Sequence, residues 1–157
     1  MIRPPQGDAS ESTPAPMGAI LSRKIPSSGE LLPAIGLGTS RTFDVGRSAA
    51  EGAPLEEVMS SFVGLGGKLV DSSPMYGNAE EVVGDLAAKL DIRPRLFLAT
   101  KVWTSGKQAG IEQMEDSMRK LRSGRIDLMQ VHNLLDVDTH LDTLEAWKRK
   151  DGSATPA

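Results

Sequence analysis

Apolar residues recur along this chain in short runs that each stop at a polar side chain, and between those runs they recur at helical spacing. Leu69-Val70 ends in Asp71, Leu96-Phe97-Leu98-Ala99-Thr100 ends in Lys101, and Leu128-Met129-Gln130-Val131 ends in His132. An earlier run, Pro33-Ala34-Ile35-Gly36-Leu37-Gly38-Thr39, alternates glycine with larger residues before a polar loop. Runs of this length between breakers read as buried strands. Between them, Leu55, Val58, Met59, Phe62 and Leu65 predict a helix over 54–65 that starts at Pro54 and stops at Gly66-Gly67. Val82, Val83, Leu86 and Leu90 line a second helix, capped by Asn78 with Glu81 as its capping-box partner; Glu80 and Glu81 are accounted for by the dipole at its start. A third helix is expected over about 107–121, with Ile111, Met114, Met118 and Leu121 on one face and Glu115 spaced to pair with Arg119. A fourth, over 139–150, turns Leu141, Leu144 and Trp147 inward. Ahead of all these, 19–32 reads as two short strands around a Ser-Gly turn.

Four consecutive strand-helix units imply a parallel sheet with right-handed crossovers. Two architectures share that pattern. A doubly wound sheet calls for a third glycine after Gly36-x-Gly38, and the sequence lacks it. A barrel delivers one polar residue from each strand to a common C-terminal face, and Asp71, Lys101 and His132 stand at such ends. The expected fold is therefore α/β, a parallel (β/α) barrel of TIM type preceded by a β-hairpin. It is expected to be incomplete, with four of eight units, because a full barrel takes about 250 residues. The expected organisation is a disordered tail over 1–18, the half barrel over 19–152 and a short tail over 153–157.

Composition narrows the classes. At 157 residues, 39% hydrophobic and 25% charged, the chain suits one water-soluble domain, and no window is long and apolar enough to span a membrane. A net charge of -3 without a Lys/Arg block leaves no footprint for nucleic acid. The absence of cysteine excludes disulfides and thiol catalysis, and His132 and His140 lack an acidic frame, so no metal site is expected. The first 18 residues hold no complete secretory signal. The expected location is cytoplasmic, or periplasmic if that segment is the remnant of a signal.

The chemistry lies in the polar strand ends. A phenol with a pKa of about 10 is a poor acid at neutral pH unless a cation stabilises its phenolate, and a buried lysine needs a carboxylate to stay charged. Tyr76, the chain's single tyrosine, follows Asp71 by five residues, and Lys101 and His132 supply the cation and a group able to polarise a carbonyl. Taken singly, each has a plainer explanation: Asp71 as a strand-end cap, Lys101 and Trp103 as an exposed edge pair, His132 as a satisfied core histidine.

Together, Leu32-Pro33-Ala34-Ile35-Gly36-Leu37-Gly38-Thr39, Asp71-Ser72-Ser73-Pro74-Met75-Tyr76-Gly77, Ala99-Thr100-Lys101-Val102-Trp103 and Asp127-Leu128-Met129-Gln130-Val131-His132-Asn133 resemble segments of the aldo/keto reductases, in the same order. The resemblance runs from about Arg23 to Gly152. It implies reduction of aldehydes or ketones with NADP(H) or NAD(H), with a catalytic tetrad of Asp71, Tyr76, Lys101 and His132. Tyr76 would be the general acid, Lys101 would lower its pKa, Asp71 would hold Lys101 and His132 would steer the carbonyl. Gly38, Thr39, Asp71 and Asn133 would border the nicotinamide, and Trp103 the substrate pocket. In that family, later strands carry further contacts to the cofactor that have no counterpart here. Weak cofactor binding, impaired or absent activity and self-association through open sheet edges are expected accordingly. The alternative is a non-catalytic half-barrel interaction module or an inert fragment.

Overall fold

The computed structural model describes residues 20–46 and 48–150. The two expected tails lie outside those residues. β1 (Ser22–Lys24) and β2 (Leu31–Pro33) pair antiparallel, with Ser22 opposite Pro33. The reversal is closed by Ile25 N–H donating to the Glu30 carbonyl at 2.8 Å and by Gly29, whose φ of 73° favours a residue without a Cβ. The run 33–39 divides between two elements. Pro33 ends the hairpin, whereas Leu37–Gly38 forms β3 of a parallel sheet.

Three further strands follow: β4 (Leu69–Asp71), β5 (Phe97–Val102) and β6 (Leu128–Val131). After β3 to β6 come, in turn, α1 (Ala49–Gly64), α2 (Ala79–Lys89), α3 (Lys107–Lys120) and α4 (Val137–Lys150). The sheet order is β3-β4-β5-β6, all parallel, so every crossover steps to the next neighbour in the same direction. A doubly wound sheet reverses direction at a switch point, and a barrel does not. The observed order is that of four successive barrel units.

Val70 and Leu98 enter the core cluster with Met59 and Val63 of α1, Val83 and Leu86 of α2, and Leu121 beyond α3. Alternation along the strands then turns Leu69, Asp71, Phe97, Ala99 and Lys101 to the opposite face of the sheet. There Leu69, Phe97 and Leu128 are only half-buried. A Cβ on Gly36 would come within 2.8 Å of the Leu69 side chain, so the glycine noted in this strand marks a close approach.

Local expectations are corrected or extended at five points. The first helix starts at Ala49, not Pro54, because Ser48 caps it: Ser48 Oγ accepts from Glu51 N–H at 3.3 Å and donates to the Glu51 carboxylate. Pro54 lies inside the helix as a result. Asn78 stands at the start of α2 but makes no side-chain cap; its amide donates to the Val45 carbonyl at 3.2 Å. Glu80, in the first turn of α2 as the dipole reading has it, is also buried, accepting from Thr100 Oγ1 at 2.6 Å and Ser117 Oγ at 3.1 Å. Burial raises its pKa, against those two hydrogen bonds. On α3, Asp116 rather than Glu115 pairs with Arg119, and it also meets Lys120 at 2.9 Å. On α4 the buried residues are His140 and Thr143, whereas Leu141 is exposed. His140 donates from Nε2 to the Thr104 carbonyl at 2.8 Å and packs against Gly110, where a Cβ would meet the ring at 2.4 Å.

Candidate active site

The sheet brings the three polar strand ends together because parallel pairing aligns their C-terminal edges. Asp71 closes β4, Lys101 is the fifth residue of β5, and His132 follows β6 directly. Lys101 Nζ donates to Asp71 Oδ2 at 2.7 Å and to the Ser72 carbonyl at 2.6 Å. The lysine is buried, so it is not part of an exposed edge pair. Its ammonium stands 5.0 Å from the centroid of the Tyr76 ring. Tyr76 reaches that position through a tight turn in which its N–H donates to the Ser73 carbonyl at 3.0 Å. Gly77, with φ of 57°, completes the turn, and a Cβ there would meet Asp44 Oδ1 at 2.1 Å. Asp44 in turn accepts from Asn78 N–H at 3.0 Å and ties the tyrosine loop to the loop after β3.

His132 meets Tyr76 edge to face, with ring centroids 6.0 Å apart, and lies 6.4 Å from the Trp103 ring. Its pKa is lowered, first by burial and then by the charge on Lys101, with Asp71 opposing. Both effects favour the neutral ring. Ser73 Oγ sits 3.0 Å from its Nδ1. Trp103 is 41% exposed beside the cluster. Its backbone is clamped by Gln113, which accepts from Trp103 N–H at 2.5 Å and donates to its carbonyl at 3.2 Å.

The residues assigned to the cofactor divide in their placement. Gly38 is exposed, with open space where a Cβ would stand, and Asn133 is exposed in a left-handed conformation, φ 54°. Thr39 is fully buried; its Oγ1 lies 3.0 Å from both the Asp71 carbonyl and Ser72 Oγ, so its side chain braces β4 beneath Asp71. Sequence reasoning missed Ser72, Ser73 and Gln113. No spacing in the sequence links Gln113 to Trp103, or Ser73 to His132. A cavity of about 600 Å³ lies at the other end of the strands, among Lys68, Arg93, Arg95, Phe97, Arg125 and Asp127, while the tetrad stands at the C-terminal edge. Among the described residues no group of His, Asp and Glu could hold a metal ion, and no helix is long and apolar enough to cross a membrane.

The Aldo/keto reductase family model matches residues 34–150. The methylglyoxal reductase YeaE of Escherichia coli K12 is 35% identical over 105 residues, covering 64% of this chain and 35% of the relative. Methylglyoxal reductase DkgA of Salmonella typhimurium is 28% identical over 120 residues, covering 76% and 40%. An aldo-keto reductase from Klebsiella pneumoniae, solved in complex with NADPH, superposes with a TM-score of 0.69 at 26% identity over 83% of this chain and 47% of its own. The aldo-keto reductase of Bacillus halodurans, at 23% identity and a TM-score of 0.66, shares the fold over 83% and 47% of the two chains. The chain thus spans about two fifths of the length of the curated relatives it matches. With the family match covering all four strand ends, the chain belongs to the aldo/keto reductase family.

Proposed function

We propose that this chain carries the acid-base centre of an NAD(P)H-dependent reductase of aldehydes or ketones. The observation behind the reading is the joining of Asp71, Lys101, Tyr76 and His132 at one edge of the sheet. Tyr76 gives its phenolic proton to the carbonyl oxygen. Lys101 stabilises the resulting phenolate, and the Asp71 carboxylate and Ser72 carbonyl hold and aim the ammonium. His132, neutral, donates to the same carbonyl oxygen and fixes its direction. A bound nicotinamide supplies the hydride. The open space over Gly38 and the exposed Asn133 fit its carboxamide end, with Asp71 between them. Few described residues are assigned beyond that end, so we propose weak dinucleotide binding. NADPH is the first cofactor to try, given the Klebsiella pneumoniae complex, and small 2-oxoaldehydes are the first substrates, given the two methylglyoxal reductases.

The test is oxidation of NADPH with methylglyoxal or 4-nitrobenzaldehyde by the whole chain and by Tyr76→Phe. Turnover that falls by about 10²-fold or more in the variant supports the reading. Equal rates in both contradict it. A second reading, a module that associates with itself, draws on the half-buried Leu69, Phe97 and Leu128 and on β3 and β6, the two edges of the described sheet. Sedimentation of a compact dimer without turnover would favour it.

A further inference from the structure

We propose that Ser73 is a positioning residue that holds His132 in the tautomer with its proton on Nε2, the nitrogen free to donate to a substrate carbonyl; this rests on the reductase reading above. Ser73 is fully buried. Its hydroxyl hydrogen must therefore find an acceptor or forfeit the desolvation cost of an unpaired donor. Among the described residues two polar atoms outside Ser73 come within reach of Oγ: Met75 N at 3.4 Å and His132 Nδ1 at 3.0 Å. The first is itself a donor. Only the ring nitrogen can accept, so the serine O–H points at Nδ1 and the ring proton resides on Nε2.

The reverse arrangement is disfavoured on two counts. A proton on Nδ1 would turn the contact around and leave the serine hydrogen buried without an acceptor. An imidazolium would also place a second positive charge beside Lys101, which already bears on this ring. The serine is held in turn by the segment that carries Tyr76, because its carbonyl accepts from Tyr76 N–H at 3.0 Å. One short turn thus sets both the position of the proton donor and the tautomer of its neighbour.

The test is the long-range proton-nitrogen spectrum of the whole 15N-labelled chain at pH 7.5. The chain has two histidines, and the loss of one set of ring signals in His132→Gln identifies that residue. The expected pattern for His132 is Nδ1 in the unprotonated range and Nε2 in the protonated range. The reverse pattern, or two averaged shifts, overturns the proposal. Ser73→Ala should move both shifts toward those of a freely exchanging imidazole, and unchanged shifts there also overturn it. Ser73→Thr, which keeps the hydroxyl, should keep the pattern; should the alanine variant not fold, the wild-type and threonine spectra decide. Where turnover is measurable, Ser73→Ala should lower kcat about tenfold, less than the ~10²-fold loss on deleting an oxyanion donor, with KM for NADPH within about twofold. If the chain reduces no carbonyl, the spectra still report on Ser73, and the two failures are read separately.

Discussion

The Asp71–Lys101 pair decides most at the level of single residues. A buried ammonium with one carboxylate and one carbonyl for partners has nowhere to turn if the carboxylate is neutralised. Asp71→Asn should therefore destabilise the fold by about 1–3 kcal/mol, toward the low end because Asp71 is partly exposed, as read from urea unfolding at pH 7. His132 makes the opposite kind of demand. Its folded-state pKa lies below the unfolded value, so between the two the unfolded chain binds a proton that the folded chain does not. Stability should fall as pH drops below about 6.5 and level off beneath the folded pKa. In His132→Gln that component of the pH dependence should vanish, a comparison that urea unfolding at pH 7.5 and 5.5 makes directly. These residues were legible in the sequence because each ends an apolar run, whereas Ser72, Ser73 and Gln113 act through backbone and ring contacts that no spacing announces.

Among the elements, Glu80 shows how a helix position can be read only in part. A carboxylate in the first turn of α2 fits the helix dipole, yet the sheet-facing side of that turn meets Thr100 and Ser117, whose hydroxyls both need an acceptor. Glu80→Ala should cost about 2–4 kcal/mol in unfolding free energy by stranding both hydroxyls and opening space. Glu80→Gln, which keeps one acceptor oxygen but turns an amide N–H toward the second hydroxyl, should cost about 1–2 kcal/mol, less than the alanine variant. The N-terminus of α1 was missed for a related reason. Pro54 is a strong start signal on its own, but the Ser48–Glu51 capping box starts the helix five residues before it, at Ala49. Ser48→Ala should lower stability by about 1 kcal/mol, seen as a shift in the urea midpoint. On α4 the apolar spacing pointed to Leu141, Leu144 and Trp147; Leu144 and Trp147 are half-buried on the side that also carries the buried His140 and Thr143, and Leu141 is exposed.

For the molecule as a whole, the sheet order was legible because four strand-helix units in a row admit few topologies, and the polar strand ends chose between the two that remained. What could not be read was the tightness of the site. Strand ends name the residues that meet, but not that Thr39 turns inward to brace β4 while Gly38 and Asn133 stay open. The central claim is that Tyr76 and Lys101 work as one proton-delivering unit. The direct measurement is NADPH-dependent methylglyoxal reduction by the wild type, Tyr76→Phe, Lys101→Met and the double variant. The account predicts that all three variants fall to the same floor, about 10²- to 10⁴-fold below the wild type, because removing either member disables the unit. Wild-type rates in Tyr76→Phe, or single losses that multiply in the double variant, would contradict it.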